Sequence, residues 1–392
     1  MWWPAFVGCE DSPAWTLVAE DPPGAPLAGL PDDLVDRFDQ GDAAFEALVR
    51  ETQGLGPVYI RAACGGCHAD DARGPGFPRK MAVRDGDGWS ADPTLLPWGS
   101  TERPYVAGGA TTPILPPTDV DGLVLSVRSP PGVFGRGYLE AIDESEILAV
   151  EQAQADAGVV SGRVNRVCWA FDAPSPDAFA IAEPGDCGLV GRFGAKARIP
   201  SLVGFTADAF QGDMAVTSPL RSTELPNPDG LTDDALPGLD LDAETVELVA
   251  EYVRLLRIPT RPAEDPVGAA LFTEIGCAEC HVPALRTRAD HPIAALRDLD
   301  APVFTDLLVH DLGPDHADGL TEGVAGPSEW RTAPLIGMRF LRTYLHDGRA
   351  TTVDEAIVGH GGPGSEAEPS VASFEALSDA ERDAVTAYVE SL

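Results

Sequence analysis

Residues 61–71, RAACGGCHADD, set Cys64, Cys67 and His68 in the order C-x-x-C-H, and residues 276–283, GCAECHVP, repeat the order with Cys277, Cys280 and His281. In c-type haem attachment the two thiols become thioethers to the porphyrin vinyl groups, and the adjacent imidazole becomes the axial ligand of the iron. The porphyrin therefore dictates the spacing. Two other chemistries use paired cysteines. A tetrahedral zinc site could draw on Cys64, Cys67, Cys277 and Cys280, but it leaves both histidines unexplained. A redox dithiol needs neither a histidine directly after its second cysteine nor a second copy of the arrangement. The recurrence favours two covalently bound haem c groups.

Helical patterns frame each anchor. In VELVAEYVRLL, residues 246–256, Val249, Tyr252, Val253 and Leu256 fall on one helical face, and Val385, Tyr388, Val389 and Leu392 repeat that spacing at the C-terminus. Ser378 and Glu381 predict a capping box before the last helix. FEALVRETQ (45–53) and GAALFTEIG (268–276) read as helical lead-ins, so a unit of helix, anchor, loops and closing helix occurs twice. RIPTRPAEDP, residues 257–266, interrupts the pattern with three prolines. This divides the chain into a leader over 1–50, a first c-type haem domain over 51–258 and a second over 264–392. Pro- and Gly-rich stretches at 108–122 and 126–137 predict irregular loops in the first. The expected fold class is mainly α, two c-type cytochrome domains with long irregular loops and a few short strands.

A formal net charge of -36 over 392 residues opposes binding to nucleic acid or anionic membranes. It suits a basic electron-transfer partner or a small neutral substrate, and it also keeps the protein soluble. No run of about twenty apolar residues is present to span a membrane. Of seven cysteines, four belong to the anchors, and Cys168 and Cys187 are either a disulfide or two buried thiols. Cys9, in MWWPAFVGC, is either a lipid-anchored residue or incidental, because the segment before it is short for a signal. Haem c attachment in bacteria takes place outside the cytoplasm, which makes a periplasmic or cell-envelope location the expectation.

The stretches CGGCH, GRGYLEAI, GRFGAKARIPSL, CAECH, FTDLLVHDLG, EWRTAPLIG and YLHDGRATTVDEAIVGHGG together resemble the bacterial di-haem oxidoreductases, also called thiol oxidoreductases, related to di-haem cytochrome c peroxidases. The resemblance runs from about residue 55 onward. It implies that the second haem takes its distal ligand soon after the HDG element, a position held here by His360, with His346 as competitor. Otherwise His346 is structural or lies near a haem edge, and His310 and His316 are loop residues. For the first haem it implies an open sixth position over His68. Glu140 in GYLEAI is the candidate distal acid, and Arg136 would stabilise the departing charge or pair with a propionate. Met214 or Lys196 could instead close that position. The family's calcium would use Thr332 and Pro334. Trp98, Trp169 and Trp330 are either aromatic bridges between the haems or ordinary packing. The function implied is that of an exported, peroxidase-like oxidoreductase passing electrons between two haems. Its donor would be a small redox protein or a quinol-linked source, and its substrate peroxide or another small molecule. The alternatives are a non-catalytic di-haem electron carrier and haems that merely staple two domains together.

Overall fold

The computed structural model describes residues 24–72, 77–85, 88–177, 181–231, 238–261 and 265–392, and Cys9 lies outside them. In chain order its α-helices are α1 (Asp32–Glu46), α2 (Arg136–Ala141), α3 (Glu144–Ala157), α4 (Leu202–Met214), α5 (Ala243–Leu255), α6 (Pro266–Glu274), α7 (Val353–Val358), α8 (Glu368–Glu375) and α9 (Asp379–Ser391). Strands are short. Arg79–Asp85 lies between Gly88–Ser90 and Leu123–Val127 in an antiparallel sheet, and Val309–Asp311 pairs with Glu329–Arg331. Arg166–Cys168 pairs with Cys187–Val190, where Cys168 and Cys187 form a disulfide.

The two patterned helices form where their spacing predicts. Asp242 caps α5 by accepting from the Thr245 backbone N–H at 2.8 Å, and Val249, Tyr252, Val253 and Leu256 are all buried. At α9 the box of Ser378 and Glu381 is present, and Val385, Tyr388, Val389 and Leu392 are buried. The expected leader contains a helix. Residues 32–46 form α1, which buries Phe38, Gly41 and Phe45 and packs against α5.

Each anchor has the same crossed pair of helices beside it, α1 with α5 and α6 with α9. Gly41 meets the Leu248 carbonyl and Tyr252, and Gly268 meets the Ala384 carbonyl and Tyr388. Four residues after each glycine a phenylalanine packs on the same tyrosine, Phe45 at 5.2 Å and Phe272 at 5.5 Å between ring centroids. A Cβ on Gly268 would lie 2.4 Å from the Ala384 oxygen. Gly268→Ala is therefore expected to cost about 1–3 kcal/mol, measured by thermal unfolding. Gly212→Ala on α4, with open space around it, is the neutral comparison, and equal midpoints for the two variants would contradict the close crossing.

The halves also share a core, which the sequence division did not anticipate. Phe134, Leu139, Val249 and Leu255 cluster with Leu296, Val303, Leu308 and Ile336 from beyond residue 266. Phe272, Phe304, Met338, Val353, Tyr388 and Val389 make a smaller cluster around the second anchor. Among the described residues no helix is long and apolar enough to cross a membrane.

Candidate functional site

The two C-x-x-C-H segments fold alike. Cys64–Gly66 and Cys277–Glu279 are single 3-10 turns. The His68 and His281 backbone N–H groups donate to the Cys64 and Cys277 carbonyls, each at 2.9 Å. His68 Nδ1 donates to the Pro131 carbonyl at 2.8 Å, and His281 Nδ1 to the Phe304 carbonyl at 3.1 Å. A carbonyl can only accept, so the proton sits on Nδ1 and Nε2 becomes the ligating atom in both rings. Burial pushes the thiols of Cys64 and Cys277 up to about 12 and that of Cys67 to about 11. The four sulfurs do not converge, since among the described residues the only three-ligand group is Cys280, Asp306 and His310. The residues fit the haem reading and do not fit the zinc one.

His68 opens on a cavity of about 90 Å³. Helix α4 supplies one wall with Phe205, Phe210, Asp213 and Met214, while α5 adds Val249 and Val253. Asp213, which sequence reasoning missed, is the only carboxylate lining it among the described residues. Burial raises its pKa, partly opposed by Lys80. Arg136 lines the cavity, with its Nε donating to the Gly132 carbonyl at 2.6 Å, and Arg331 enters from the second half.

Two expected residues are elsewhere. Glu140 does not line the cavity, and both its oxygens are engaged, Oε1 by the Leu202 N–H at 2.7 Å and Oε2 by Arg254 Nε at 2.5 Å. It holds the start of α4 to α5, away from the cavity lining. Lys196 is fully buried, with its ammonium bonded to the 318–327 loop, so it cannot close the iron's sixth position. Met214 remains in the cavity wall.

At the second anchor the His281 and His360 ring centroids are 6.4 Å apart. An ion held by both rings would need imidazoles near this separation, since a metal–imidazole bond is about 2.0–2.1 Å. His360 Nδ1 donates to the Ala356 carbonyl at 2.6 Å, again assigning Nε2 to a ligand role. Burial, reinforced by His360, lowers His281 to about 4, and burial also lowers His360. Both rings are neutral at pH 7, the ligating form. The pair could hold an iron between them. His346 instead lies flat on Trp330, centroids 3.6 Å apart.

His310, in the strand Val309–Asp311, and His316, in the 3-10 turn Pro314–His316, lie in short elements rather than loops and are buried. His310 Nε2 meets Asp306 at 2.8 Å and Nδ1 meets Glu366 at 3.0 Å. Burial alone would lower its pKa, but the hydrogen bonds to Asp306, the Cys280 sulfur and Glu366 outweigh it and raise it to about 12. A folded value above the ordinary 6.5 gives stability that is complete below pH 6.5 and is lost as pH rises toward 12. The urea midpoint is therefore expected to fall between pH 7 and 10 in wild type and to fall less in His310→Gln. Equal slopes would contradict a charged His310.

A family model described as "Di-haem oxidoreductase, putative peroxidase" matches residues 118–392, more than half of the chain. The chain belongs to this family. The second anchor lies within the matched residues and the first precedes them. Among solved structures, the chain is similar to the di-haem peroxidase BthA (Y463M variant) of Burkholderia thailandensis, at 16% identity over 95% of this chain and 88% of that one, TM-score 0.40. It is also similar to the hydrazine synthase of Kuenenia stuttgartiensis, at 12% identity over 100% of both chains, TM-score 0.35. Both are remote likenesses. No curated protein matches.

In this di-haem oxidoreductase the calcium expectation at Thr332 and Pro334 does not fit. The Thr332 carbonyl already accepts from the Thr305 hydroxyl at 2.7 Å and from Arg331 Nη1 at 3.1 Å. Both donors compete with a metal for that oxygen, and the guanidinium repels one. Of the tryptophans, Trp98 is exposed, and Trp169 is buried against Phe171 with its N–H on the Ala173 carbonyl. Trp330 donates to the His316 carbonyl at 2.9 Å and lies beside Arg331, which reaches the first cavity.

Proposed function

We propose that this oxidoreductase carries two covalently bound haem c groups with unequal tasks. One is held by Cys64, Cys67 and His68 as the peroxide site, and the other by Cys277, Cys280, His281 and His360 as the electron relay. The observation that carries the reading is the asymmetry between anchors. His281 has the His360 imidazole beside it, ring centroids 6.4 Å apart, whereas His68 looks into a cavity walled by Phe205, Phe210 and Asp213. Haem supplies one-electron transfer and peroxide cleavage when bound. The chain's own residues orient the proximal imidazoles through Pro131 and Phe304, keep bulk water away with apolar walls, and offer Asp213 to hold or move a proton. Arg136 and Arg331 are cations placed to pair with propionates or a departing oxygen.

Residues 51–258 and 264–392 would then be two c-type units, each beside a glycine-tyrosine helix pair, the first pair completed by α1 from residues 32–46. The Cys168–Cys187 disulfide supports an oxidising compartment, periplasm or cell envelope. The strongly negative charge supports a basic small redox protein as electron donor, with a quinol-linked donor as the other route. A second reading, an electron carrier with both irons closed, is favoured by one feature, Met214 in the cavity wall. Intact mass under denaturing conditions tests the proposal, with two haem additions per chain expected. Unmodified mass, or stoichiometric zinc, would overturn it.

A further inference from the structure

We propose that Lys196 is a tethered cation, standing in the protein where an inorganic ion would otherwise tie the two halves together. Its ammonium has no solvent exposure. It lies 2.9, 2.7 and 2.8 Å from the carbonyl oxygens of Leu320, Gly326 and Pro327, and 2.9 Å from Asp318 Oδ1. Three backbone carbonyls and one carboxylate converging on a point make the donor set of a hard cation. The Trp330 ring, 4.4 Å from the ammonium, faces the same charge.

The cage is built to stay open around a cation. Residues 322 and 325 bridge each other, which folds the 318–327 loop back on itself. Asn165 holds it from the first half, its Nδ2 donating to the Lys196 and Glu322 carbonyls at 2.5 and 2.8 Å and its Oδ1 accepting from the Val324 N–H at 2.8 Å. Ser126 and Arg128, also from the first half, donate to Asp318. Removing the ammonium would leave converging carbonyls without their donor, an electronegative hole in a dry interior. The other oxygen considered for a metal, the Thr332 carbonyl, is taken by Thr305 and Arg331. The chain's own cations thus hold the junction, and calcium has no place in it.

The test uses the purified holoprotein and reads thermal unfolding and metal content, so it is independent of peroxide chemistry. Wild type is expected to hold substoichiometric calcium and to keep its midpoint in chelator and in added calcium. Lys196→Ala is expected to lose roughly 5–10 °C and to regain part of it in methylammonium or potassium chloride, but not in tetramethylammonium chloride at equal ionic strength. Asp318→Asn, in which the lysine still fills the cage, is expected to lose stability that no added cation restores. Stoichiometric calcium whose removal lowers the wild-type midpoint would overturn the proposal. So would a Lys196→Ala protein as stable as wild type, or one whose loss no cation moves. If Lys196→Ala yields no folded protein, the wild-type and Asp318→Asn measurements decide.

Discussion

Asp213→Asn is expected to slow the reaction with peroxide by about a hundredfold to ten-thousandfold, the usual contribution of a positioned acid or base, with haem content unchanged. Splitting peroxide requires a proton to leave one oxygen and reach the other. A carboxylate in the cavity wall can carry it, and an amide of the same shape cannot. Asp213 is the only lining carboxylate among the described residues, and burial raises its pKa, partly opposed by Lys80. The comparison variant is Glu140→Ala, which leaves Arg254 buried with one carboxylate partner fewer. It is expected to destabilise the fold by about 3–5 kcal/mol and to leave the peroxide rate nearly intact. Stopped-flow optical changes on mixing with peroxide at constant pH separate the two. Equal rates in wild type and Asp213→Asn would place the proton transfer on another group.

The second large effect is expected at His360. Its replacement by glycine should convert one of the two haems fully from low spin to high spin and leave the other untouched, because it removes the imidazole opposite His281. Added imidazole should restore the low-spin signal. The backbone is prepared for the change, since residue 360 already lies between Gly359 and Gly361 just past the end of α7. Ferric electron paramagnetic resonance reads both haems separately. An unaltered low-spin signal would assign the sixth ligand to another side chain.

What was legible in the sequence was local. Both anchors, the faces of α5 and α9 and the Ser378–Glu381 box depend on residues within a few turns of each other, and the structure carries all of them. His360 was reachable only through its place after HDG, not through any periodicity. The misreadings are non-local. Glu140 meets Arg254 across 114 residues and His310 meets Glu366 across 56, pairings that no short motif announces. Asp213 sits in no motif and is next to Met214. Helix α1 was hidden in a leader rich in Asp, where only Phe38, Gly41 and Phe45 face inward. One signal was readable and overlooked. Glycine followed four residues later by phenylalanine occurs in α1 and α6, at Gly41 and Phe45 and at Gly268 and Phe272, and it marks the two helix crossings, the first just before the expected lead-in over 45–53, where the helix ends at Glu46.

Titration of the ferric holoprotein with cyanide tests the unequal pair most directly, because cyanide binds where the sixth position is open. One equivalent per chain is expected, shifting one of two haem signals while the one ligated by His281 and His360 stays unchanged. Binding of no cyanide would show both irons closed and make the protein an electron carrier, and binding of two equivalents would remove His360 from the second iron.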